Sequence, residues 1–212
     1  MKTRAAAKKP LARPRVAKPR GRPRCFDTVE ALDAAMDVFW RKGYEGASLS
    51  DLTRAMKINR PSLYAAFGDK ESLFRQVLDR YEEGQVAAWG EAMRQPTARA
   101  VAEAVLTTAI RLTTQPDFPK GCLLIQGGLA SGEGAECAAQ EMARRRREIE
   151  TLLRYRLEEA RSEGDLPAEA DPATLARYIT TVTRGIAIQA ADGAGAEELS
   201  SVRDAALRAW PT

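Results

Sequence analysis

The sequence predicts an all-α protein of about nine helices: an N-terminal three-helix unit of the helix-turn-helix type, followed by a larger helical body. Three observations carry this. Apolar residues recur at spacings of three and four along most of the chain, the period of a helix with one buried face. No stretch combines two-residue alternation with β-branched residues, and no Asn-Gly or Asp-Gly turn lies between two such stretches. Glycine and proline, with capping Ser and Asp residues, divide the chain into pieces of helical length.

Residues 1–24 stand apart. They contain four prolines, few large apolar groups, and ten Lys or Arg with no acid. Such a segment buries too little apolar surface to offset the entropy of ordering, so it is expected to be a disordered basic arm. The remaining residues hold 23 basic against 29 acidic groups. A cationic arm on an acidic body points to a polyanionic partner.

The elements follow in order. A first helix over about 28–42 is capped by Asp27, with Glu30 three residues on, and offers Val29, Leu32, Met36 and Phe39 as its apolar face before Gly43 ends it. A short second helix over about 49–56 starts at Ser48, with Asp51 three residues later. A turn at 57–60 leads to a third short helix over about 61–67, with Pro61 in its first turn, where a missing N–H costs little. Gly68 stops it, and Asp69 caps a long fourth helix expected to reach Met93. The rest divides into helices near 97–114, 121–129, 135–163, 172–191 and 196–209. The units expected are the arm 1–24, an N-terminal unit 25–86 with its helix-turn-helix motif at 48–67, and a C-terminal helical body 87–212.

Several functions are excluded by what is missing. The chain has no histidine, which removes the commonest general base and metal ligand together. Its three cysteines, Cys25, Cys122 and Cys137, form no CxxC pair. No catalytic residue, metal site or cofactor is therefore expected, and the chain is read as a non-enzyme. No uncharged apolar run approaches the roughly 18 residues that cross a bilayer, and no apolar segment follows the basic N-terminus as in a secretory signal. A cytoplasmic location without a membrane partner follows.

Residues 48–67 carry the function. Two helices too short to stand alone must be held by packing. Leu49, Leu52, Met56, Leu63 and Phe67 supply it against Phe39 and Val29, leaving Arg60, Ser62, Tyr64 and Ala65 on the outward face of the third helix. A braced helix with small outward residues fits a major groove about 12 Å wide. The string resembles the TetR family of bacterial regulators. The resemblance runs from about Asp27 to Leu78, through Phe39-x-x-x-Gly43-Tyr44, Ser48-Leu49-x-x-Leu52, Ile58-x-x-x-Ser62-Leu63-Tyr64-x-x-Phe67 and Lys70-Glu71-x-Leu73-Phe74.

The resemblance implies a homodimer whose third helices enter successive major grooves of a palindromic duplex. It also implies a body that binds a small-molecule inducer and moves the fourth helix. Carried over by residue, Tyr64 and Lys70 resemble phosphate contacts, Lys70 helped by helix N-terminal amides. Ser48 and Leu49 resemble backbone-docking positions, and Arg60 and Ser62 resemble readers of base edges. Two departures stand out: Lys57 occupies a turn position where the family usually has glycine, and Ala65 replaces a larger residue. In the arm, Pro19-Arg20-Gly21-Arg22-Pro23 resembles an AT-hook core, in which Arg20 and Arg22 flank a glycine narrow enough for an A·T-rich minor groove.

For the body, Leu175, Tyr178, Ile179, Val182, Gly185 and Ile186, with Leu199, Val202 and Trp210 on the last helix, are the expected dimer interface. Trp89, Met93, Phe118, Cys122, Ile125 and Met142 are the expected lining of an inducer pocket, and Cys122 also invites a redox-switch reading. The run Arg144 to Arg147 reads as a solvated, partly ion-paired helix face. The sequence thus reads as a specific regulator, usually a repressor; the alternative is a nonspecific architectural DNA-binding protein relying on its arm.

Overall fold

The computed structural model describes residues 26–126 and 134–211. The arm, with Arg20 and Arg22, lies outside them. The described residues form ten helices and no strand: α1 (Thr28–Gly46), α2 (Leu49–Ala55), α3 (Arg60–Phe67), α4 (Lys70–Glu83), α5 (Val86–Met93), α6 (Ala98–Thr113), α7 (Leu123–Gln126), α8 (Glu136–Ser162), α9 (Pro172–Ala191) and α10 (Ala196–Arg208).

Local chemistry explains the starts. Asp27, Ser48, Asn59, Asp69, Thr97 and Asp171 each accept a backbone N–H of the first turn that follows, satisfying donors that have no partner inside a helix. Asn59 was not singled out by sequence; its Oδ1 accepts from Ser62 N at 2.8 Å and so sets where α3 begins. Gly43 takes φ 68° and breaks α1 one turn before its end.

The fourth helix is shorter than expected. It stops at Glu83, and the chain bends through Gly84 and Gln85 before α5. Glycine is among the weakest helix formers, and the bend lets α4 pack on α1 while α5 turns to α6. Trp89 Nε1, at 3.1 Å from Gln85 Oε1, ties the start of α5 to the bend.

Two apolar cores result. One gathers α1–α4 around Phe39, Leu52, Leu63, Phe67, Leu73 and Phe74, and draws in Leu123 and Leu124 of α7 and Ala138 and Met142 of α8. The other joins α5, α6, α9, α10 and the second half of α8. In the first core, α1 buries Phe39 and packs Leu32 and Met36 partly against it as expected, but Val29 departs from that face. Val29 is 47% exposed, while Ala31, Ala35, Phe39 and Trp40 are buried. Val29 sits in the first turn, beyond the end of the core, and the alanines let α4 approach closely.

The interface stripe also needs correction. Ile179, Ile186, Leu199 and Trp210 are buried inside their own subunit, because α6 packs across both α9 and α10 and claims that stripe. Leu175, Tyr178 and Val182 are partly buried at its edge. Gly185, Ile188 and Val202 remain exposed.

The arginine run is likewise not one solvated face. Arg144 pairs with Glu141 at 2.6 Å and with Glu148. Arg145, its side chain 6% exposed, reaches Asp79 at 2.6 Å, Glu141 at 2.7 Å and Glu82, fastening α8 to α4. Helical periodicity turns neighbouring positions of such a run about 100° apart, so at most half of it can face water.

Candidate nucleic-acid interface and regulatory cavity

Three short elements present the reader. Ser48 and Asp51 form a reciprocal cap: Asp51 N lies 3.0 Å from Ser48 Oγ, and Ser48 N lies 3.2 Å from Asp51 Oδ2. Lys42 reaches the same carboxylate at 2.9 Å. That ammonium, with the Ser48 donors, holds Asp51 at about 2, below its ordinary 3.8. The N–H and hydroxyl of Ser48 are therefore occupied by the cap, and free amides at this corner belong to the next residues, beginning with Leu49.

The turn between α2 and α3 carries the departure noted in the sequence. Lys57 has φ 54°, the left-handed region, and is the only non-glycine residue with positive φ among the described residues. A side chain there costs roughly 1–2 kcal/mol, a cost glycine does not bear. Lys57 adds an exposed cation to the turn that leads into α3.

On α3, Leu63 and Phe67 are buried while Arg60, Tyr64 and Ala65 are exposed and Ser62 is half-buried. Arg60 does not extend freely: its Nη2 lies 3.0 Å from Ser50 Oγ on α2. This bond braces the guanidinium across the two helices. At the start of α4, Lys70 Nζ sits 4.5 Å from the centre of the Tyr44 ring, and burial lowers its pKa. Tyr44 in turn stacks on Phe39 at 6.1 Å and meets Phe74 at 5.1 Å. A cation held over an aromatic face is both positioned and poorly hydrated. Tyr44 was legible only as a motif letter, since pattern reading cannot give a ring a cation to hold.

Among the expected pocket residues, Trp89, Cys122 and Ile125 line one cavity between α4, α5, α6, α7, α8 and α9 that is partly open to solvent. Its other walls include Tyr81, Leu112, Arg146 and Arg184, which the sequence did not mark. Phe118, 49% exposed, lines an adjoining groove with Trp40, Asp33 and Asp117, which shares Tyr81, Gln85 and Leu112 with the cavity. Met93 and Met142 line neither; Met93 packs on the second core and Met142 is fully buried in the first. A flexible thioether fills irregular core gaps as readily as it lines cavities, and periodicity does not separate the two.

Cys122 Sγ receives a hydrogen bond from the Tyr81 hydroxyl at 3.3 Å. Burial pushes the thiol up from its ordinary value, which keeps it protonated and disfavours the thiolate that a redox switch requires.

The cavity touches the reader through aromatic side chains. Tyr81 lines it, and the same ring meets Trp40 of α1 edge-on at 5.0 Å. Trp40 Nε1 donates to Gln126 Oε1 of α7 at 2.9 Å.

Comparison with known proteins agrees with this architecture. Two family descriptions match: "Bacterial regulatory proteins, tetR family" over residues 31–77, and "Tetracyclin repressor-like, C-terminal domain" over residues 98–205. The chain is 36% identical to the HTH-type transcriptional repressor ComR of Escherichia coli (strain K12), over 92% of this chain and 94% of that protein. It is 41% identical to a cysteine mutant of the TetR family transcriptional regulator CifR, solved in complex with 26bp double-strand operator DNA. The TM-score is 0.86, with 90% of this chain and 100% of that chain covered. A TetR transcriptional regulator from Rhodococcus sp. RHA1 is also 41% identical, with a TM-score of 0.59, over 87% of this chain and 99% of that chain. No described helix is long and apolar enough to cross a membrane. With a reader that exposes one helix face, a body that encloses a cavity, and likeness along nearly its whole length, the chain belongs to the TetR family of DNA-binding transcription regulators.

Proposed function

We propose that this chain is a cytoplasmic repressor that holds a palindromic operator as a homodimer and leaves it when a small-molecule inducer fills the cavity at Tyr81. The observation that carries the reading is the continuous packing from cavity to reader. Tyr81 forms part of the cavity wall and packs on Trp40, which belongs to the helix bracing α2 and α3. A ligand that shifts Tyr81 or α7 must move α1, because Trp40 is buried and close-packed regions transmit displacement. Moving α1 changes the spacing of two α3 helices across a two-fold axis, to which paired half-sites one turn apart are sensitive.

Dimerisation is supported by the face that α9 and α10 leave open. Gly185, Ile188 and Val202 are exposed there, with Val182 and Tyr178 at the margin. Arg60 and Ser62 serve as base readers, and Tyr64, Lys70 and the Leu49 corner as phosphate contacts; the exposure of Arg60 and Tyr64 on α3 and the hold of Tyr44 on Lys70 support these roles. Arg20 and Arg22 of the arm would add minor-groove contacts.

The test is selection of bound duplexes from random DNA by the full chain, then a screen for metabolites that dissolve the complex. Recovery of a two-fold symmetric site, bound by two chains and released by a compound, supports the reading. Uniform binding to all duplexes returns the architectural alternative, and a monomer on a single half-site refutes the dimer.

A further inference from the structure

The side chains around the cavity are unequal in charge. Two arginines line it, Arg146 and Arg184, and no carboxylate does. Arg184 is shared outward, its Nη2 3.4 Å from Glu150 Oε2. Arg146 forms no ion pair among the described residues; it donates from Nη1 to the backbone carbonyl of Leu124. One carbonyl satisfies one of the five N–H groups of a guanidinium. Burial and the neighbouring Arg184 both lower the pKa of Arg146, as expected of a partly desolvated cation without a counter-charge. Beyond the arginines the walls are mainly apolar, with Trp89, Leu112 and Ile125 facing the space.

We propose that the cavity binds an amphipathic organic monoanion, its apolar body against Trp89, Leu112 and Ile125 and its carboxylate in the fork of Arg146, with Arg184 as second donor. The class follows from the chemistry present. A planar guanidinium offers paired parallel donors that a carboxylate accepts and a neutral amide or alcohol cannot reproduce. Glu150 is shared between Arg184 at 3.4 Å and Arg177 at 3.0 Å, which leaves Arg146 as the wall cation without an ion pair among the described residues and suits a ligand with one carboxylate. This inference rests on the reading of the cavity as the effector site and adds its ligand class.

It also supplies a route of action. Arg146 donates to the carbonyl of Leu124 and so holds α7. The side chain of Gln126, on the same short helix, accepts the Trp40 indole N–H. A carboxylate that draws the guanidinium away frees α7, and the Gln126–Trp40 bond, at the reader's first helix, loosens with it.

The test uses the full chain and a series of straight-chain acids from hexanoate to dodecanoate, each paired with its primary amide. Binding is measured by calorimetry, separately from DNA release. At least one acid is expected to bind at least about tenfold more tightly than its amide, since a charge-assisted bond is worth about a factor of ten or more. Arg146→Gln is expected to remove that preference, and Arg146→Lys, which keeps the charge but loses the fork, to retain part of it. Arg184→Gln, checked for unchanged melting, covers the case in which Arg146→Gln fails to fold. Binding of no acid, equal binding of acid and amide, or an acid preference that survives both glutamine variants overturns the proposal. Acids that bind without dissolving the DNA complex would leave the ligand class standing and refute the release mechanism. Neutral compounds that dissolve the complex while no acid binds would refute both the ligand class and the Arg146 route, and leave only release by an inducer standing.

Discussion

Exchanging Arg145 for methionine removes one guanidinium and strands the carboxylates that surround it. The side chain is 6% exposed and serves Asp79 at 2.6 Å, Glu141 at 2.7 Å and Glu82. The three acids are not equivalent. Asp79 is 61% exposed and would be hydrated. Glu141 keeps Arg144 at 2.6 Å, which first and foremost holds it at about 2. Glu82 has no second cation in the described ion pairs, and burial already raises its pKa. Breaking a buried pair from one side costs about 3–5 kcal/mol. With one acid in water and another still paired, the expected loss lies near the low end, about 3 kcal/mol. Methionine fills much of the same volume, so a cavity adds little. Adding Glu82→Gln removes the stranded charge and should restore about 1–2 kcal/mol. Urea unfolding followed by far-UV circular dichroism measures both. A loss under about 1 kcal/mol in the single variant, or no recovery in the double, would refute the view that this cluster fastens α8 to α4.

Four further outcomes are expected. Lys57→Gly relieves the positive φ but frees the unfolded chain, so it should stabilise by about 0.5–1 kcal/mol in thermal melting; destabilisation would contradict the strain. Gly121→Ala should imitate part of the release step, because Gly121 has φ +91° and an added Cβ would lie 2.8 Å from the Gln126 side chain, which holds Trp40. Its readout is operator affinity without ligand, which should fall; unchanged affinity would contradict a role for the Gln126–Trp40 bond. Lowering the pH should loosen the fold between about 4.5 and 2. Asp51 and Glu141 have folded pKa values near 2, below their ordinary 3.8 and 4.5, so their contribution is complete above the ordinary values and fades as pH falls through the folded ones. Asp51→Asn should make an acid titration of the circular dichroism signal shallower in that window. Deleting residues 1–24 should reduce the salt slope of DNA binding by ~0.9 for each phosphate that the arm neutralises in the full chain, and an unchanged slope would remove the arm from the interface.

The reader was legible because its constraints are local. Ser48 with Asp51, and Asp69 before the fourth helix, cap within three residues of themselves, and Leu52, Leu63 and Phe67 are buried as periodicity requires. What the sequence hid depends on third parties. Ile179, Ile186, Leu199 and Trp210 form an apolar stripe that α6 covers within the subunit, and a stripe does not state its partner. Arg145 and Arg146 sit in one basic run, yet one closes an ion cluster and the other walls a cavity, because adjacent helical positions face different neighbours. The long fourth helix failed at Gly84, where weak propensity met the need for α5 to reach α6. Lys57 was marked by its unusual place, and the left-handed φ explains why glycine suits that turn.

The central claim is that Arg60 through Phe67 form a braced helix that reads base edges, and one comparison tests it most directly. Binding of the full chain and of Arg60→Ala is measured on the selected site and on single-base variants of it, at fixed salt. The account predicts that the native chain loses about 1–3 kcal/mol for a change at one base pair in each half-site and that Arg60→Ala erases this penalty there while keeping the penalties elsewhere. Equal weakening on every sequence would show that Arg60 contacts only phosphate, and an unchanged pattern of penalties in the variant would contradict base reading by Arg60.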